Sequence, residues 1–242
     1  MMTPFNPIID PELPAQHSPL LRAALLTIGY IEANGPIGLT ASRGLKRYFV
    51  EWAAEAFDWR WYSASDLYAV NKVLNESDFP PLVILHDLLV RAKLVRHRQG
   101  ALHLTRLAGQ LKNDPASLWT LLASRLLFDT DHSKYTRYGD HLLGNWDIFL
   151  NVINVEVQNG VSEETLCSVL FGSDEQETPH GYPRQRAALY IHVLRPLCWA
   201  GLLEEVRTGE GFARQEHFFK TPLWHAALSL ETDRHLESVT RH

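Results

Sequence analysis

Arg91, Lys93, Arg96, Arg98 and Arg106 crowd one short stretch with no carboxylate among them. Guanidinium and ammonium groups in such a run suit phosphate oxygens, which they neutralise without regard to base sequence. Arg96 and Arg98 stand two apart in a strand-like segment, so they point to one face. That face either reaches nucleic acid or keeps a hairpin edge soluble by charge. A second group, Arg184, Gln185 and Arg186, opens a helix-like stretch after Pro183. Those residue types at a helix N-terminus suit phosphates and base edges. Asp174, Glu175 and Glu177 lie just upstream. They repel a phosphate backbone and offer the arginines internal partners, so the two readings are even.

Other chemistry is thin. Asp129, Asp131, His132, Asp140 and His141 carry metal-type donors, but their spacing fits no known ligand geometry. A polar linker is the simpler reading, and neither a metal nor a cofactor is expected. Twelve histidines form no HExxH and no Cys/His array. There is no Walker loop and no G-x-S-x-G, and Gly209-Glu-Gly211 is a turn rather than a dinucleotide fingerprint. Cys167 and Cys198 sit on apolar helix faces and read as core. Trp52, Phe57, Trp59, Trp61 and Tyr62 either stack a base or close a small core, the second being favoured. Without a catalytic constellation, the chain is expected not to be an enzyme.

Those residues need elements to hold them. The chain has 242 residues, 45% hydrophobic and 21% charged, the balance of a folded globular protein. No apolar run is long enough to cross a bilayer, and neither a membrane span nor a secretion signal is expected. With two cysteines only, a cytoplasmic protein is expected. Net charge is −5, made of +1 over residues 1–115 and −6 over 116–242. A phosphate-binding face must therefore be local.

Five prolines in residues 1–19 suggest an extended arm. Helices are expected over about 19–34 with a Ser18 cap, 41–57 with a Thr40 cap, 64–75 and 81–92. Leu94–Arg98, a tight turn at Gln99-Gly100, and Leu102–Leu104 then form a hairpin. A helix capped by Thr105 follows, and another runs over 115–128 with Asp114 as its cap. After a polar linker over 129–145 the order recurs. Helices are expected over 146–158, 162–171 and 183–199, the last kinked by Pro196 near His192. A hairpin over 202–219 and a helix from Thr221-Pro222 complete it. The recurrence predicts a mainly α fold of two tandem winged-helix-like domains, 20–128 and 146–231, each a helical core with a short β-hairpin wing. Residues 232–242 form a tail.

Three segments add a family resemblance: Gly38–Ala53, Val70–Leu82 and Gly100–Gly109. In each, a Leu-Thr pair, a basic aromatic helix or the stretch after the wing resembles a family of plasmid open-reading-frame proteins of the Ri-plasmid type. The likeness covers about residues 20–128 well and the second half loosely. It lacks the separate β-rich domain for which many members are named. It implies a helical, winged-helix-like architecture and a plasmid or mobile-element setting, and brings no catalytic residues.

Two functions follow. One is a non-enzymatic DNA-binding regulator or accessory factor contacting double-stranded DNA. The other is a protein-interaction scaffold, binding a protein partner or forming a homodimer. The helix before the first wing, Leu82–Ala92, offers only His86, Asp87 and Arg91 for base readout, which favours the scaffold. Its apolar length and the run Trp59–Tyr62 suggest surface that needs covering by a second copy or a neighbouring domain. The basic wing favours DNA. No membrane contact is expected.

Overall fold

The computed structural model describes residues 5–7, 10–135, 144–172, 184–209, 215–234 and 236. Among these residues the chain is mostly helical, with two small antiparallel three-stranded sheets. It divides into two compact units, one of residues 14–125 and one of 1–13 with 126–242.

The unit of residues 14–125 is set up by local chemistry. After α1 (Glu12–His17), helix α2 (Pro19–Asn34) starts at Ser18, whose hydroxyl accepts from the Leu21 N–H at 3.1 Å. Gly35, at φ 84° and ψ −176°, takes a conformation open to glycine, and its N–H caps the Ile31 carbonyl. Strand β1 (Ile37–Gly38) and a closed loop lead into α3 (Arg47–Ala56). Helix α4 (Ala64–Val70) carries a full capping box between Ser63 and Asp66. Helix α5 (Pro80–Arg91) opens on two prolines, whose missing N–H groups would have no partner in the first turn anyway. Strands β2 (Val95–Arg98) and β3 (Ala101–Leu104) meet through Gln99 and Gly100, both at positive φ as a two-residue type I′ turn requires. Strand β1 pairs with β3, giving the order β1-β3-β2. Helices α6 (Arg106–Leu111) and α7 (Pro115–Phe128) follow.

Phe49, Phe57, Phe79, Leu85 and Leu88 are fully buried here. Each such side chain contributes about 1.5–3 kcal/mol of transfer free energy. Tyr30, Phe49, Trp52, Phe57 and Phe79 form a continuous chain of ring contacts, and Trp59 is buried beyond it. Trp52, Phe57 and Trp59 of the aromatic run therefore close the core, and Trp61 and Tyr62 are half-buried. Val83, Asp87 and Val90 are the half-buried face of α5, and the rest of its apolar surface is covered within the unit. Of the stretches Leu82–Val90 and Trp59–Tyr62, the side chains of Val83, Val90, Trp61 and Tyr62 stay half-buried.

The second unit repeats the order. It has α8 (Trp146–Glu156), β4 (Val161–Ser162), α9 (Glu163–Phe171), α10 (Arg184–Leu189), a π-helical turn at Tyr190–Leu194, and α11 (Arg195–Ala200). Then come β5 (Leu203–Thr208), β6 (Gln215–Lys220) and α12 (Pro222–Ala227), with the strand order β4-β6-β5. The π turn sits where Pro196 removes an N–H. Arg195 N–H bonds the Tyr190 carbonyl five residues back, which widens the helix rather than breaking it. Asn154 is wholly buried and binds Thr232, Asp233, Lys220 and the Trp224 indole N–H.

Several expectations give way. Residues 1–19 are not an extended arm throughout, since Glu12–His17 are helical. Phe5 forms an antiparallel bridge with Leu228 and a ring contact with Phe128. Helix α3 starts at Arg47 rather than residue 41, because the Thr40 hydroxyl bonds the Gly44 N–H within the loop instead of capping a helix. Of the linker, His132–Tyr135 form a short 3₁₀ turn and His132 is buried. Residues 136–143, with Asp140 and His141, lie outside the described residues, as does the acidic loop with Asp174, Glu175 and Glu177. Thr232 and Asp233, which begin the tail, are tied to Asn154.

Candidate nucleic-acid interface

The hairpin of the first unit presents Arg96, His97 and Arg98 to solvent, with Lys93 exposed beside it at φ 57°. Arg96 and Arg98 lie on one strand face and pair across to His103 and Ala101. Among the described residues none of Lys93, Arg96, Arg98 and Arg106 forms a salt bridge. Arg91 differs: its Nε donates to the Asp87 carboxylate at 2.7 Å, one helical turn back. The stretch 91–106 holds no carboxylate, but the helix before it supplies one. Arg106 opens α6 beyond β3.

In the second candidate group Arg186 is engaged by carboxylates of its own unit. Arg186 faces Glu163, 3.4 Å away and almost completely buried, and Glu164 at 3.9 Å. The partner is the first turn of α9. Arg184 and Gln185 stand beside it at the start of α10, a helix of six residues. His86, expected as a base-reading residue, is buried.

What the sequence left unassembled is a groove of about 710 Å³ in the same unit. Its floor is the half-buried face of α5, with Val83 and Val90. One wall is the loop from β1 to α3, bearing Arg43, Lys46 and Arg47; the other is the hairpin, bearing His97. The loop is closed on itself. Leu39 bridges Leu45, Thr40 N–H bonds the Gly44 carbonyl at 2.8 Å, and Lys46 N–H bonds the Gly38 carbonyl at 3.0 Å. This closure holds Arg43 at φ 66°, a left-handed conformation costly for a residue with a Cβ.

At the base of the groove Glu76, His86 and His97 form a hydrogen-bonded chain. Glu76 Oε2 accepts from the Leu45 N–H at 2.6 Å, and Oε1 lies 2.7 Å from His86 Nδ1. His86 Nε2 lies 2.9 Å from His97 Nε2. A Cβ at Gly44 would stand 3.0 Å from Glu76 Oε2, so the glycine lets the carboxylate reach the backbone. Burial holds the His97 imidazole below the usual histidine range; His86 and Arg43 push the same way and Glu76 opposes them. The available signals were Ser42-Arg43-Gly44 after a short strand and a histidine between two wing arginines. Neither matches a known motif.

Among the described residues no group of three or more His, Cys, Asp or Glu could hold a metal, and no helix is long and apolar enough to cross a membrane.

The description Y4jL N-terminal domain matches residues 16–117, and y4jL C-terminal domain matches 136–222. A protein y4jL of Sinorhizobium fredii (strain NBRC 101917 / NGR234) is 38% identical over 163 residues, covering 67% of this chain and 74% of that one. The chain belongs to the Y4jL family. The second half, covered only loosely by the resemblance, is matched by a family domain of its own. No solved structure matches the chain. In this Y4jL-family protein the groove and the basic hairpin both lie within the stretch matched by the N-terminal domain.

Proposed function

We propose that this Y4jL-family protein is a non-enzymatic DNA-binding accessory or regulatory factor, in the plasmid or mobile-element setting the resemblance implies. On this reading each unit is a winged-helix-like domain. The order helix, strand, helices, hairpin, with the first strand beside the last, supports that in both units. The carrying observation is where the cations lie. Residues 14–125 hold 13 Lys+Arg against 9 Asp+Glu, a net of +4; the other unit holds 10 against 19, a net of −9. Within the positive unit, Arg43, Lys46, Arg47, Arg96 and Arg98 are exposed without a carboxylate partner. Contacts from such a set are mostly to phosphates, because α5 shows Val83, Asp87 and Val90 where base-reading side chains would stand.

The test is fluorescence anisotropy of the full chain with a mixed-sequence duplex at several salt concentrations. Binding should weaken with a log–log slope near −0.9 per phosphate neutralised, and R96A with R98A should flatten that slope by about 2 for all duplexes alike. Absence of binding at low salt would turn the reading to an interaction scaffold. The second unit favours that alternative, since its acidic excess and the pairing of Arg186 suit a protein partner.

A further inference from the structure

The groove beside α5 has a property that an ordinary cationic patch lacks. Its three basic side chains face a histidine whose second nitrogen is already committed. The Glu76 carboxylate can only accept, so His86 donates from Nδ1. With His86 neutral, its Nε2 carries a lone pair and His97 donates to it from its own Nε2. The ring nitrogen left on His97 is Nδ1, and in neutral His97 it carries a lone pair. An anion cannot hydrogen-bond to a lone pair. It can do so only if a proton is added there, which makes His97 an imidazolium whose other N–H stays on His86, with the Glu76 carboxylate at the far end of the chain.

We propose that this groove is a phosphate-binding site, in which Arg43, Lys46 and Arg47 neutralise the anion and His97 binds it with uptake of one proton. The proposal deepens the DNA reading and rests on it only for the source of the phosphate. The groups facing His97 have defined signs. Arg43 and Lys46 come from the loop and Arg47 from α3; Glu76 precedes α5; His86 and Asp87 lie on α5, with Asp87 held by Arg91. Partial desolvation at the groove and the neighbouring positive charge lower the His97 pKa, and a bound anion offsets the charge. Arg43 adds an independent sign of use. Its left-handed backbone costs about 1 kcal/mol, and strain of this kind gathers at ligand sites. Gly38 makes room for the stem of Lys46, since a Cβ there would meet the Lys46 Cδ at 2.9 Å.

Calorimetric titration of the full chain with sulfate tests this, because sulfate keeps one charge state between pH 5.5 and 8. Repeating it in buffers of different ionisation enthalpy counts protons. Sulfate should bind with uptake approaching one proton, and affinity should fall by up to about tenfold per pH unit as pH rises through the bound-state pKa of His97. His97→Asn should abolish the uptake, and Arg43→Gly should weaken binding about tenfold. A thymidine dinucleotide with and without a 5′-phosphate separates the sources. Tighter binding of the phosphorylated form assigns the groove to a strand end; equal binding assigns it to the backbone diester. Failure of sulfate and both dinucleotides to bind, or proton uptake unchanged in His97→Asn, overturns the proposal. Duplex binding untouched by both variants leaves the DNA reading standing and this one lost. Sulfate binding with proton uptake but no duplex binding does the reverse.

Discussion

The two hairpins sit in sheets of the same strand order and carry opposite chemistry. Strand β2 holds Arg96, His97 and Arg98 in solvent. Strand β5 holds Glu204, Glu205 and Arg207, with Glu205 buried and its carboxylate receiving the Tyr190 hydroxyl at 3.0 Å and the Arg207 guanidinium. The helix after the first strand differs likewise: Lys46 and Arg47 begin α3, while Glu163 and Glu164 begin α9. The first unit exposes Arg96 and Arg98, and the other engages Arg186 and Arg207 with its own carboxylates. Shared element order therefore says little about a shared ligand, since function lies in the residues placed on it.

The strongest way to break this contrast is to give the first unit the second one's charges. Changing Arg43, Lys46 and Arg47 together to Glu removes three attractions and adds three repulsions. Duplex affinity at about 0.15 M salt should fall about a thousandfold, with a flatter salt slope. Anisotropy measures it, with circular dichroism to verify folding. Unchanged affinity would mean that the hairpin alone, or the other unit, makes the contact.

The histidines sharpen the same comparison. His97 is exposed and hydrogen-bonded to His86, whereas His132 is buried, 6.3 Å between ring centroids from His192. Burial pulls His132 down to about 4, with Arg195 and His192 adding to the effect and its bond to the Leu126 carbonyl opposing it. Its folded pKa lies below the unfolded value of about 6.5, so the unfolded chain binds the extra proton first. Stability from this group is full above pH 6.5 and is lost as pH falls toward 4, a change of about 3 kcal/mol. Urea unfolding of the wild type and of His132→Gln across that window should show the slope flattened in the variant. Equal slopes would place the acid sensitivity elsewhere.

Arg186→Ala probes the internal pairing of the second unit. Glu163 is 1% exposed, and the guanidinium stands 3.4 Å away. Removing the cation should cost about 2 kcal/mol, measured as a lower urea midpoint, and leave duplex affinity unchanged. A loss of affinity without a loss of stability would restore Arg186 to the DNA interface.

Caps and punctuation made much of the fold legible. Ser18, Thr105, Ser162 and the Gln99-Gly100 turn all stand where local chemistry puts them. The candidate site was half legible. Arg96 and Arg98 share a face because alternation along a strand is local geometry. The groove was not legible, because Glu76 and His86 meet across a loop and a helix, and His97 joins them only once the hairpin folds back. Asp87 was missed as the partner of Arg91 although an i,i+4 pair can be read from spacing. The partner of Arg186 could not be read, since Glu163 lies 23 residues away in sequence.

The smallest effect tests the two sides of one residue. Arg43 sits at φ 66° in a loop whose ends are fixed by the Leu39–Leu45 bridge. Glycine takes that conformation without a Cβ clash, which relieves about 1 kcal/mol. The greater freedom of glycine in the unfolded chain offsets part of this, so Arg43→Gly should raise stability by about 0.5 kcal/mol. A residue kept only for packing would improve the protein when replaced this way. If Arg43 holds a phosphate, the same variant should gain stability and lose anion affinity together. Chemical denaturation and sulfate calorimetry on one preparation read both. Gain in stability with no loss of affinity would remove Arg43 from the site and leave Lys46, Arg47 and His97 as its positive wall.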